Sequence, residues 1–457
     1  MKEISAGLPN PLESASALSF VKLSSKTLPK QAMAAKVITP IPEVSARSVS
    51  SLIEDRAAED AFFVADLGEV TRQHNQWKAF LPRIEPFYAV KSNPDPMILR
   101  TLAGHGTGFD CASKAEIQMA LDQGVPASRI IYANPCKQAS HIRYAAAAGV
   151  TMMTFDNADE LHKIRAHHPA AKMILRILTD DSRSICKLGV KFGAHIGVVP
   201  TLLQTAQDLE VDVIGISFHV GSGCYDASAF GEAVILARKA FDIGKEFGFT
   251  FTLLDVGGGF PSNNADGVTF PDIATILAPT VDRLFDSSVR VIAEPGRYYC
   301  NSAYTLAVNI VARRMVPRDI SPSVPSVDSE TMATNVNDDH PAYMYYINDG
   351  MYGSFNCITF DHAVVIPKVL SRSSHYYYGK HTGDIEYSCS IWGPTCDSID
   401  CMGRNFSLPE MQVGDWLYFD NMGAYTMCAA SQFNGFRKSS IVYTNTEAAG
   451  PTHSSDY

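Results

Sequence analysis

Eight short apolar runs, most of them closing on polar or charged residues, punctuate the chain between residues 67 and 303. The first is PFYAVKSN, with Lys91 at its end. The others are GFDCAS from 108, IIYAN from 130, TMMTFDN from 151, MILRILTD from 173, GISFHVGSG from 215, FTLLDVGGGF from 251 and VRVIAEPGRYY from 289. Between them lie stretches with the 3.6-residue period of amphipathic helices, such as SKAEIQMALDQG from 113 and ASAFGEAVILARKAFDIGKEFG from 227. Eight alternating strand and helix units predict a closed parallel (β/α)8 barrel over 67–303. In such a barrel the C-terminal ends of the strands meet at one mouth, where chemistry resides. Lys91, Asp110, Asn134, Arg176, His219, Gly257, Gly258, Gly259 and Glu294 fall at those ends.

The pattern changes on either side. Residues 1–45, rich in Ser, Ala, Pro and Lys, predict a flexible extension. Residues 46–66 read as a polar helix and a short strand, AFFVADL, that joins a second domain. That domain spans 304–445. Its short β runs, among them YMYYIND from 343 and WLYFDN from 416, predict a β-rich, Greek-key-like fold. A Ser/Asp/Pro-rich insert at about 318–340 cannot bury a core and is expected to be disordered, and 446–457 form a tail.

Bulk properties exclude some functions. A chain of 457 residues needs more than one core. A formal charge of −10 argues against nucleic-acid binding. No apolar run reaches membrane-spanning length, and the first 20 residues do not read as a secretory signal. Ten cysteines without framework spacing indicate reduced thiols and a cytoplasmic protein.

At the predicted mouth, a lysine losing hydration at the end of a buried strand is expected to have a lowered pKa and to attack an aldehyde. The glycines 257–259, with the 293–297 loop and Arg297, suit a phosphate. Glu294 could hold the proton of a pyridine nitrogen, or instead pair with Arg297. His219 could stack on an aromatic cofactor, or be a core histidine. Ser222 adds a phosphate donor, and Glu116 with Ser113 reads as a capping box. In the second domain, Cys396 and Asp397 place an acid and a recognition group in one loop, against the plainer reading of a free cysteine. A lysine, an imidazole, a triple glycine and a carboxylate at one mouth point to an aldehyde cofactor carrying a phosphate.

These stretches, together with NDGMYGSFNC, WGPTCDSID and GDWLYFDNMGAYT, resemble the eukaryotic ornithine decarboxylases, most closely of fungal type. That family falls within the alanine-racemase-like class of pyridoxal-phosphate enzymes, and the similarity spans about 60–440. It implies pyridoxal 5'-phosphate as cofactor and conversion of L-ornithine to putrescine and CO2, the entry to polyamine biosynthesis. Lys91 would bond the cofactor aldehyde with Asp110 beside it. Arg176 and Glu294 would act at the ring and His219 on its face. Ser222, Gly259, Gly296, Arg297 and Tyr425 would hold the phosphate, with Gly257, Gly258 and Pro295 in the same loops and Tyr352 near it. Cys396 would return a proton to the substrate carbon. Asp361 and Asp397 would hold the distal ammonium, with Phe360 and Tyr352 also binding substrate. The family's sites are shared across a homodimer, so Cys396 and Asp397 would serve the partner's lysine. An antizyme-like regulator is implied at ASHIRYAAAAGVTMMTFDNADEL from 139. Ser92 and Phe360 stand where the family often has cysteine and tyrosine. Two alternatives are a decarboxylase or racemase of this fold acting on another amino acid, lysine above all, and an inactive antizyme-inhibitor-like homologue.

Overall fold

The computed structural model describes residues 42–54, 59–262, 267–316 and 342–447. The insert, nearly all of the extension and most of the tail lie outside them.

Eight parallel strands close into a barrel: Ile84–Ala89, Gly108–Cys111, Ile130–Tyr132, Met152–Phe155, Lys172–Arg176, Asp212–Ser217, Leu253–Asp255 and Arg290–Ala293. The eighth strand pairs back onto the first, Val291 opposite Ile84. Alternation along each strand decides what faces inward. Phe87, Ile131, Met152, Ile174, Leu253 and Ile292 pack together inside the barrel. Neighbours such as Tyr88, Phe109, Leu175 and Leu254 join the larger core beneath the helices. Two residues beyond an inward side chain the chain faces inward again. Arg176 follows Ile174, Asp255 follows Leu253 and Glu294 follows Ile292, so one apolar layer aims three charged groups at the mouth.

The second unit is a ten-stranded mixed sheet. Its spine is the long strand Tyr304–Val316, which pairs with Ala342–Ile347, Trp416–Phe419 and Phe62–Asp66. Phe62–Asp66 precedes the barrel in the chain, yet its other neighbour is Ser440–Thr444 near the far end, in parallel. Asp66 fastens this junction. Its carboxylate caps the helix Leu67–Phe80 by accepting from Gly68 N–H at 2.9 Å. The same carboxylate accepts from Thr446 Oγ1 at 2.6 Å and from Arg72 at 2.9 Å. A cap of this kind contributes about 1 kcal/mol.

Candidate active site

Lys91 lies in a short 3-10 turn, Val90–Ser92, directly after the first barrel strand. Its Nζ meets Asp110 Oδ2, from the second strand, at 2.5 Å. The expected lowering of its pKa does not occur. Burial pulls in that direction, but the carboxylates of Asp110 and Glu294 outweigh it and hold the ammonium above its ordinary range.

Lys91 shares a small pocket with His219, Ser222, Gly259, Glu294, Gly296, Arg297 and Tyr425. His219 Nδ1 accepts from Gly221 N–H at 3.0 Å. Burial, with Arg176 and Lys91 nearby, keeps this ring neutral. Glu294 is buried, and burial together with Asp255 and Asp110 pushes its carboxyl well above the usual range. Its Oε1 has no hydrogen-bond partner among the described residues. Arg297 donates to Ser222 Oγ at 3.3 Å and lies 5.0 Å from the Tyr425 ring centre. Its strongest contact is an ion pair with Asp361 at 2.6 Å, so Glu294 is free of it. Asp361 Oδ2 remains buried without a partner among the described residues.

The three glycines do different work from that expected. Gly257 has a φ of +63° and would place a Cβ 2.0 Å from Phe218 O. Its N–H donates to Asp255 Oδ1 at 2.8 Å, so it is not available to a phosphate. Its carbonyl accepts from Glu294 N–H at 2.6 Å. Gly258 leaves room for the imidazole, since a Cβ there would come within 2.8 Å of His219 Nε2. Only Gly259 lines the pocket. Gly257→Ala is expected to cost about 2–4 kcal/mol through strain and overlap, read as a fall in thermal midpoint. A midpoint within 1 °C of wild type, by the same order-of-magnitude scale, would show that the loop relaxes freely.

Pro295 contributes through its carbonyl, which accepts from Ala89 N–H at 3.0 Å and ties the loop to the first strand. Ser113 caps its helix, its Oγ accepting from Glu116 N–H at 3.2 Å, while the Glu116 carboxylate accepts from Ala112 N–H at 2.6 Å rather than from the cap's own N–H.

Cys396, Asp397 and Tyr352 do not join Lys91 within one chain. Cys396 is exposed and lines a separate cavity with Trp392, Asp397, Asp400 and Phe436. Tyr352 lies with Asp397: its hydroxyl donates to Asp397 Oδ2 at 2.5 Å and its ring stacks on Phe433. Phe360 is 70% exposed and does not line the Lys91 pocket. Among the described residues, no cluster of three or more His, Cys, Asp or Glu side chains could hold a metal ion.

The Lys91 pocket fits pyridoxal phosphate. It offers an amine, an orphaned carboxyl oxygen opposite, a neutral ring with a glycine cleared beside it, and a guanidinium with a serine hydroxyl at one end. Asp255 is the residue that sequence reasoning missed. It is fully buried, its carboxyl is pushed up to about 7, chiefly by burial, and it faces Glu294.

Residues 67–301 match the pyridoxal-dependent decarboxylase family over its pyridoxal-binding domain. The chain is 48% identical to the ornithine decarboxylase of Schizosaccharomyces pombe over 430 residues, covering 94% of this chain and 93% of that one. It is 50% identical to antizyme inhibitor 2 of Xenopus laevis over 401 residues, covering 87% and 83%. Among solved structures, the Paramecium bursaria Chlorella virus arginine decarboxylase superposes with a TM-score of 0.76 at 32% identity, covering 86% of this chain and all of that one.

Proposed function

Because the chain belongs to the pyridoxal-dependent decarboxylases, we propose that it decarboxylates L-ornithine to putrescine and CO2. The observation that carries this reading is the Lys91 pocket, where the lysine–aspartate pair shares the mouth with Glu294, whose Oε1 has no partner among the described residues. Pyridoxal phosphate, when bound, supplies a protonated ring that accepts the electron pair of the breaking Cα–carboxylate bond. The protein's share is orientation and charge. Lys91 is the amine that bonds the aldehyde, and Asp110 orients it. Glu294 holds a proton at the ring nitrogen. Arg176, aimed inward from the fifth strand, offsets the carboxylates around it. His219, neutral and fixed at Nδ1, covers one face of the ring without adding charge. Ser222, Gly259, Gly296, Arg297 and Tyr425 receive the phosphate.

Asp361 Oδ2, buried and unsatisfied, suits the distal ammonium of a basic substrate. A carboxylate there repels an acidic side chain such as that of diaminopimelate. Ornithine is favoured over lysine by the curated relatives. CO2 release from ornithine, lysine and arginine with added cofactor checks this, and faster release from lysine would displace ornithine. The antizyme-inhibitor-like role is less favoured, because Lys91, Asp110, Arg297, Tyr425 and Cys396 are all in place.

We further propose a two-fold homodimer in which Cys396 and Asp397 of one chain complete the Lys91 pocket of the other. Their position in a separate cavity supports this. So do the exposed apolar side chains beside the two sites: Phe360, Val364 and Ile366 near one, Ile399 and Phe436 near the other. Cys396 would then deliver the proton to the substrate carbon. Lys91→Ala and Cys396→Ala chains are each expected to be poorly active alone. Mixed in equal amounts, they should recover roughly a quarter of wild-type activity. Random pairing makes half the dimers mixed, and each mixed dimer has one intact site. No recovery, with subunit exchange confirmed by differential tags, would place both groups in one chain's site. The reading extends to an antizyme-like regulator docking near the helix Ala139–Ala147. It extends also to the cytoplasm, since all ten cysteines are free.

A further inference from the structure

Asp255 has no part in the roles above, yet it stands against Glu294. It ends the seventh barrel strand and is fully buried. One of its oxygens accepts from Gly257 N–H, and the other, Oδ2, has no partner among the described residues. Glu294 stands just past the adjacent eighth strand with Oε1 in the same condition. The two carboxyl groups are within hydrogen-bonding reach of each other. Gly257 clamps them there, its N–H on the Asp255 carboxylate and its carbonyl on the Glu294 N–H.

Two ionised carboxylates present only lone pairs to each other, so both orphaned oxygens would stay unsatisfied and the charges would repel. One proton between them removes both problems. We propose that Asp255 and Glu294 form a proton-sharing carboxyl pair, in which Asp255 is a positioning residue that keeps a proton available at Glu294 for the cofactor's ring nitrogen.

The surrounding charge agrees with a single proton. Asp110 faces the pair from the second strand, Arg176 from the fifth and Lys91 from beyond the first. His219, past the sixth, is neutral. Three carboxyls and two cations leave one negative charge, which one retained proton cancels. Donation breaks the Glu294 O–H bond and leaves its electron pair on the carboxylate. The proton bonds to the ring-nitrogen lone pair, and nothing is oxidised or reduced. This inference rests on the reading of Glu294 as the ring-nitrogen partner.

The test is infrared spectroscopy of the full-length protein at pH 7, following the carbonyl stretch of protonated carboxyl groups. Wild type is compared with Asp255→Asn and Glu294→Gln, before and after loading with pyridoxal phosphate. Asn keeps an acceptor oxygen for Gly257 N–H, and both substitutions preserve size, so the fold is retained. Before loading, each variant is expected to lose the intensity of one protonated carboxyl relative to wild type. Each leaves a lone carboxyl beside Lys91 and Arg176, which ionises. Loss in only one variant would assign the proton to the removed group alone and overturn sharing. Loss in neither would overturn it as well. After loading, the wild-type band should disappear. A band that behaves as expected before loading yet survives it would leave the pair standing, but would overturn both its role toward the ring and the reading of Glu294 on which that role rests.

Discussion

Lys91→Ala is expected to abolish turnover, with a loss of at least ~10³-fold, the scale on which removal of a covalent-catalysis group acts. No other lysine lines the pocket. Lys137, which is fully buried, is committed elsewhere. Its Nζ donates to Thr154 O at 2.6 Å and Asn134 O at 3.1 Å and pairs with Glu160 at 2.9 Å. Burial pushes its pKa down to about 8, but it has no path to the mouth that keeps those contacts. The visible absorbance of bound cofactor should vanish with activity. The fold should persist, because Lys91 opens onto the pocket and supports no core contact. Asp110 would lose the ammonium it pairs with. Decarboxylation at a near wild-type rate would end the assignment of Lys91.

Glu294→Gln should lower the rate by roughly a hundredfold or more, in the range of misplaced acid–base groups. An amide cannot hold a proton at the ring nitrogen, so the electron sink weakens. The alternative that Glu294 serves Arg297 has lost its structural footing, since Arg297 is paired with Asp361. A variant that binds cofactor normally and loses less than about tenfold in kcat would show that the ring does not depend on this carboxyl. The effect should appear in kcat rather than KM, because the role proposed for Glu294 is at the ring nitrogen and the one proposed for the substrate's far end falls to Asp361.

The barrel was legible because its signals are local. Each strand is a short apolar run closed by polar residues, and the period of two that buries Leu253 and Ile292 also aims Asp255 and Glu294. What stayed hidden depends on contacts between residues distant in sequence. The Lys91 pKa went the wrong way because desolvation can be read from one strand, while a carboxylate on the next strand cannot. Arg297 read as a free phosphate cation because Asp361 is far along the chain, in another unit. The triple glycine suggested phosphate donors, but backbone N–H groups show their commitments only in three dimensions. Asp255 could have been found: a charged residue two positions after the inward Leu253, immediately before a glycine-rich turn, is expensive to bury without a purpose. In the second unit the strands were visible and their partners were not. Nothing local tells Phe62–Asp66 to lie beside Ser440–Thr444.

That last pairing has a consequence for how the protein is made. A ribosome releases Phe62–Asp66 early, and the eighth barrel strand is complete at residue 293, so the barrel can close while synthesis continues. The sheet cannot. One side of the early strand waits for residues 304–307 and the other for 440–444, more than 370 residues later. Until then a fully buried strand of FFVAD is an open edge, the kind of surface that recruits other chains. A nascent chain stalled between residues 316 and 440 would therefore carry a finished barrel and a sticky edge together. Chaperone dependence and aggregation should peak in that interval of translation, and a stop codon shortly before residue 440 should give insoluble protein despite an intact set of barrel residues.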